Sequence, residues 1–154
     1  MDHSIFDHLL FARRATLHYV KELSESQANF IPDRFNNNIR WNLGHIYLVH
    51  EQLAFMEAPT SRKIPEGFTE LFAMGTRPLD RTNEEFTLNE LIELLKEQPQ
   101  RIEQELKGRL NEKVEKPFLL PGLQLEANGE FLSFAFYHES GHTQSIKMIK
   151  RFMD

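Results

Sequence analysis

The sequence predicts an all-α protein, a four-helix bundle with long connecting loops. Three observations carry that expectation. Four long segments place apolar residues at the i, i+3, i+4 spacing of an amphipathic helix. The stretches between them hold the prolines, glycines and asparagines that stop helices. A chain of 154 residues is also the size of one domain with one core, so residues 1–154 are read as a single domain.

The first helix is expected from about Ser4 to Leu23, with Ile5, Leu9, Ala12, Thr16 and Val20 on one face. The polar stretch ending "FIPDRFNNN" breaks it, because Pro32 disfavours helix at Ile31 and the asparagines suit turns and caps. The second helix is expected from Ile39 to Met56, its stripe made by Trp41, His45, Leu48, Val49, Gln52, Phe55 and Met56. Residues 58–86 form a long connection with three prolines and two glycines around a short helix at 66–74. Connections of this length often serve as lids over a site. In "TLNE" the Thr87 and Glu90 pair makes a capping box that opens the third helix, and Pro99 inside it is expected to kink or divide it. "VEKPFLLPGLQLEANGE" reads as extended and turn-rich, a short hairpin or flap, before a last helix from 128 or 129 to 152. The first and third crossings are long enough for more than one helix order.

Charged residues make up 27% of the chain and hydrophobic ones 40%, as in soluble globular proteins. The net charge is −5, and the one basic cluster, Lys147, Lys150 and Arg151, closes a helix whose macrodipole it complements. Nucleic acid is therefore not expected as a partner. No uninterrupted apolar run marks a signal peptide or a membrane span, so a cytoplasmic location and no membrane partner are expected. There is no cysteine. Thiolate ligands and cysteine nucleophiles are excluded, and any sulfur chemistry must come from a ligand.

The chemistry-bearing stretch is "FAFYHESGHTQSIKMIKRF", which contains His138, Glu139 and His142 in a literal H-E-x-x-H. Two histidines four apart lie one turn apart on one helical face, roughly 5–6 Å between Cβ atoms, so both imidazoles can reach one ion. A zinc protease takes its third ligand downstream, but only twelve residues follow His142 and none is His or Glu. The third ligand must come from upstream, where the candidates are His3, His8, His18, His45 and His50. His45 shares an inward stripe with Trp41 and Leu48 and is the choice, whereas His50 is about 140° round the helix from it. His8 reads as an edge residue, and His3, His18 and His50 as surface or interface residues. Glu139 lies about 80° from the midline of the histidine pair, within reach of a water on the metal as a general base. Arg77 and Tyr137 are candidate lining residues for a substrate entering beneath the 58–86 connection. Leu43 and Ala54, apolar and beyond the second helix's own stripe, suggest a homodimer face.

These motifs resemble the DinB/YfiT-like superfamily of metal-binding four-helix bundles. "IRWNLGHIYLVHEQLAF" is similar to the family's second helix, and "FAFYHESGHTQSIKMIKRF" to its last helix with H-x-x-x-H. The resemblance implies His45, His138 and His142 as the ligands of a divalent transition metal, zinc or nickel first. It also implies a small-molecule substrate and one of three roles. The first is a thiol S-transferase using a low-molecular-weight thiol such as bacillithiol, mycothiol or glutathione. The others are a metal-dependent hydrolase with Glu139 as base, and a non-catalytic, stress-linked metal-binding dimer. One departure stands out: Gln144 and Ser145 occupy the place where members commonly carry Gly-Gln.

Overall fold

The computed structural model describes residues 2–78 and 86–153. Residues 79–85 of the long connection, and the side chain of His3, lie outside the described residues. The described residues form six α-helices and one hairpin: α1 (Asp2–Val20), α2 (Glu25–Asn29), α3 (Ile39–Ala54), α4 (Phe68–Phe72), α5 (Leu88–Leu106), β1 (Lys113–Leu120), β2 (Leu123–Ala127) and α6 (Asn128–Lys150). A 3-10 turn over Pro59–Ser61 precedes α4. The bundle proper is α1, α3, α5 and α6.

Local signals account for the boundaries. The Asn38 side chain caps α3 by accepting from Trp41 N–H at 2.8 Å. Thr87 and Glu90 form the expected capping box at α5. The small helix α2 was not expected from the sequence, yet its signal is there: Ser24 and Gln27 make a second capping box. The extended stretch forms an antiparallel hairpin turned at Gly122, whose φ of 80° suits glycine.

The helix order is a rearranged one. In cross-section α1 and α6 are neighbours, as are α6 and α3, α3 and α5, and α5 and α1. The first two long helices thus face each other across a diagonal. Pairings set the directions: His45 meets His138 while His50 meets Ala135, so α3 and α6 are antiparallel. Arg13 meets Glu139 and Lys150 meets the Tyr19 carbonyl, so α1 and α6 run parallel. Arg40 near the start of α3 meets the Phe86 carbonyl just before α5, and Glu51 meets Arg101, so α3 and α5 run parallel and the bundle is up, down, down, up.

This order explains two departures from the single-stripe expectation. Lying between α1 and α3, α6 buries Leu132, Glu139 and Thr143 on one side as well as Phe131, Ala135, Ile146 and Ile149. Helix α3 packs against α6, α5, α4 and α2, and is buried nearly all round. Leu43 and Ala54, expected to mark a homodimer face, are covered by the chain's own helices. The homodimer expectation loses that basis.

The core has two apolar halves with a polar layer between them. One half gathers Val20, Ile39, Leu43, Leu91 and Ile146; the other gathers Phe6, Leu9, Phe55, Ile102 and Leu132. Between them lie Arg13 and Thr16 of α1, His50 and Glu51 of α3, Gln98 of α5, and Glu139 and Thr143 of α6, all buried. Pro99 sits beside this layer without interrupting α5. Its missing N–H leaves the Leu95 carbonyl without its helical donor, and Arg13 Nη1 supplies one from α1. Among the described residues, no helix is long and apolar enough to cross a membrane.

Candidate metal centre

The structure brings His45, His138 and His142 together, with one nitrogen of each within 4.8 Å of the others. His45 comes from α3 and the other two from successive turns of α6, across the antiparallel seam of these helices. The Nε2 atoms of His45 and His138 are 3.2 Å apart. Two nitrogens bound tetrahedrally at the usual 2.0–2.1 Å would be separated by about 3.3 Å, so the spacing suits one shared ion.

Oxygen acceptors fix which nitrogen carries a proton in two of the three rings, while the His138 Nδ1 is buried without a hydrogen-bond partner. His45 Nδ1 donates to the Phe72 carbonyl at 2.7 Å, which leaves its Nε2 lone pair toward His138. His142 Nδ1 lies 2.8 Å from Asn42 Oδ1. The Asn42 amide is itself oriented, because its Nδ2 donates to the Asn38 carbonyl at 2.7 Å. Its oxygen must therefore face His142, Nδ1 must carry the proton, and Nε2 is left as a ligand atom. Since Asn38 also caps α3, one asparagine side chain starts the helix and its carbonyl sets the tautomer one step removed.

Packing holds His45 further. Trp41 stacks on it with centroids 4.6 Å apart and planes 11° from parallel, and Trp41 Nε1 donates to Thr76 Oγ1 at 2.8 Å. Gly44 makes the approach of α4 feasible: a Cβ there would meet the Phe72 ring at 2.3 Å. The same Phe72 offers the carbonyl that His45 uses. On the other side, the Phe134 ring packs at 6.5 Å from that of His138.

Electrostatics keep the trio neutral. Burial lowers His138 to about 4 and His142 to about 3, and the neighbouring imidazoles add to the effect while the Glu139 charge opposes it. His45 is lowered as well, again by burial first, with its bond to the Phe72 carbonyl opposing. At neutral pH all three present unprotonated nitrogens, the form that binds metal.

Glu139 is placed elsewhere than a base beside these rings would be. Its carboxylate is fully buried in the polar layer, accepting from Arg13 Nε at 2.8 Å, Arg13 Nη2 at 3.1 Å and Thr16 Oγ1 at 2.8 Å. Burial pushes its carboxyl up, but the Arg13 charge with the Arg13 and Thr16 hydrogen bonds prevails and holds it below its ordinary value. Among the described residues it makes no hydrogen bond to the trio. The 80° offset that suggested reach toward the metal instead aims it at α1, a neighbour the sequence does not reveal.

His50 also departs from expectation. Read as a surface or interface residue, it is buried, with Nε2 donating to the Ala135 carbonyl at 3.1 Å and Nδ1 3.3 Å from Arg13 Nη2. Burial lowers it to about 4. His8 and His18 are exposed as expected. Tyr137 is exposed beside the apolar groove between the hairpin and α6, and Arg77 is exposed near the far end of the long connection.

Sequence reasoning missed Asn42 and Phe72. The first had a signal, an asparagine three residues before His45 and one turn after the cap; the second contributes only its backbone, which no side-chain motif records.

The fold and the histidine trio together define a class, that of four-helix bundles with a three-histidine centre on one helical seam. The family model of the DinB superfamily matches residues 8–146, and the chain belongs to that superfamily. No curated protein matches the sequence.

Proposed function

We propose that this DinB-superfamily protein is a metal-dependent enzyme that joins a low-molecular-weight thiol to small electrophiles. The observation that carries the reading is the pairing of three neutral imidazoles, aimed at one point, with a neighbouring carboxylate already committed elsewhere. A divalent metal held by His45, His138 and His142 supplies a Lewis acid that favours the thiolate form of a thiol at neutral pH. Zinc or nickel suits this donor set best.

The residues divide the remaining work. Phe72 and Asn42 hold the His45 and His142 tautomers, so the ligand nitrogens need no rearrangement. Trp41 packs against His45 and Phe134 against His138, which covers part of the two rings. Glu139 and Arg13 brace α6 against α1, which keeps His138 and His142 in register with His45.

The hydrolase alternative asks Glu139 to take a proton from water. That demands a free carboxylate, whereas Glu139 is held below its ordinary pKa by Arg13 and already accepts three hydrogen bonds. Its geometry favours a brace over a base.

The test is the rate of thiol conjugation to 1-chloro-2,4-dinitrobenzene, with zinc-loaded and nickel-loaded protein, for wild type and for Glu139→Gln at a temperature where both stay folded. The thiol reading predicts metal-dependent conjugation that Glu139→Gln lowers less than about tenfold, against the 10²- to 10⁴-fold loss typical of a removed general base. Metal-dependent ester hydrolysis abolished by Glu139→Gln would select the hydrolase. Bound metal with neither activity would select the non-catalytic role.

A further inference from the structure

Helix α6 buries the side that carries Glu139 and turns the opposite side to solvent. On that outer side Tyr137 is 73% exposed and Met148 51% exposed, two large side chains that the fold leaves mostly uncovered. Gly141 lies between them. Glycine in a helix interior costs stability relative to alanine, and a Cβ at Gly141 would meet nothing within 4 Å among the described residues. The packing that requires glycine at Gly44 is therefore missing here. Ser140 beside it is also small, and its hydroxyl is turned back onto the Phe136 carbonyl at 2.8 Å. The middle of the outer face is low, and larger side chains rise toward both ends.

One end also holds a depression. A groove of about 430 Å³ between α6 and the hairpin is lined by Leu123, Leu125, Ser133, Phe134 and Tyr137. Leu123 is 47% exposed there, so apolar surface faces solvent within the groove as well as on the helix beyond it.

We propose that this face is the interface of a homodimer, in which α6 packs antiparallel on α6 of a second copy and crosses it at Ser140 and Gly141. The residues of the face match their own reverse, as a two-fold contact needs. About an axis between positions 140 and 141, Tyr137 falls opposite Gln144 of the second copy, Ser133 opposite Met148, and Glu130 opposite Arg151. The last pair carries opposite charges at both ends of the contact, whereas parallel helices in register would set each charge against its like. Glu130 is held in place by accepting from Glu126 N–H and Ala127 N–H, so its charge is fixed at the end of the face. Met148, long and flexible, enters the groove beside Ser133 of the other copy. The small residues at the crossing let the two backbones approach. A groove for a free small molecule would account for the depression but not for Gly141 or for the charges at the two ends. The dimer face thus lies on α6 and not at Leu43 and Ala54, and it sets Met148 of the second copy against Phe134, whose ring packs on His138.

The test uses the absence of cysteine, which lets a single introduced one report on the contact. Ser140→Cys puts its sulfur beside that of the second copy, within reach of a disulfide. Ser133→Cys, exposed on the same helix, lies about four turns, about 22 Å, from its mate. Light scattering of wild type at roughly 100 μM, enough to populate a contact of micromolar affinity, is expected to give the mass of two chains. Gly141→Gln is expected to give the mass of one chain with the helical circular dichroism of wild type. On mild oxidation Ser140→Cys is expected to run as a covalent dimer and Ser133→Cys as a monomer. Wild type at the mass of one chain overturns the proposal, as does a folded Gly141→Gln protein that stays dimeric. Ser133→Cys cross-linking as readily as Ser140→Cys overturns the antiparallel contact even if Gly141→Gln loses its fold.

Discussion

At the scale of single residues, the centre depends on side chains that never touch the metal. Asn42 is the clearest case: it is buried, its own orientation is set by Asn38, and it leaves His142 only one tautomer. Asn42→Ala is expected to keep the fold and weaken metal affinity by about 10- to 100-fold, measured by chelator competition, as losses of such supporting bonds generally do. Gly44 acts by what it lacks. Gly44→Ala would drive a methyl into the Phe72 ring, with an expected cost of about 1–3 kcal/mol in urea unfolding and a parallel fall in metal affinity as the Phe72 carbonyl withdraws. A Gly44→Ala protein with wild-type stability would mean that α4 does not pack as described.

At the scale of elements, the buried pair of Arg13 and Glu139 joins α1 to α6, and Gln98 extends the layer to α3 and α5. Gln98 accepts from Arg13 and donates to Glu51 and to the Tyr47 carbonyl. Arg13→Met alone leaves an uncompensated carboxylate in the core and is expected to destabilise by about 3–5 kcal/mol. Arg13→Met with Glu139→Leu is expected to recover most of that loss, because an apolar pair of similar volume carries no desolvation cost. Additive losses in the double variant would contradict the brace.

The same elements show what the sequence reveals and what it withholds. His138 and His142 were legible because a four-residue spacing marks one helical face whatever packs on it, and His45 because its stripe was apolar. Glu139 was not, since a residue 80° off one seam lies on the next seam when the helix has two neighbours. His50 read as exposed because its partners, Arg13 and the Ala135 carbonyl, are distant in sequence. The helix order was equally hidden, because the connections reach either arrangement. Pro99 was expected to kink or divide α5, which runs undivided, and the rescue of the Leu95 carbonyl comes from another helix.

At the scale of the whole molecule, the buried imidazoles make stability depend on pH. In the unfolded chain a histidine titrates near 6.5, whereas the fold holds His50 at about 4, His138 at about 4 and His142 at about 3. Between these values the unfolded chain binds more protons than the folded one. Their contribution is therefore complete above about pH 6.5 and is lost as pH falls toward 4, each group changing stability by at most about 1.4 kcal/mol per pH unit. Metal-free protein should show a thermal midpoint that is flat from pH 8 to about 6.5 and falls below it. His50→Gln should make the fall shallower, and a profile unchanged by that substitution would place His50 outside the buried layer.

The proposed function and the metal-affinity outcomes presuppose that three histidines from two helices bind one ion. The direct measurement is elemental analysis of untagged protein, wild type against His45→Ala and Asn42→Ala, with circular dichroism confirming the fold of each. Wild type is predicted to carry one equivalent of a divalent transition metal, His45→Ala to carry little or none, and Asn42→Ala to lose its metal to a chelator that leaves wild type loaded. A folded His45→Ala protein that retains a full equivalent would contradict the centre.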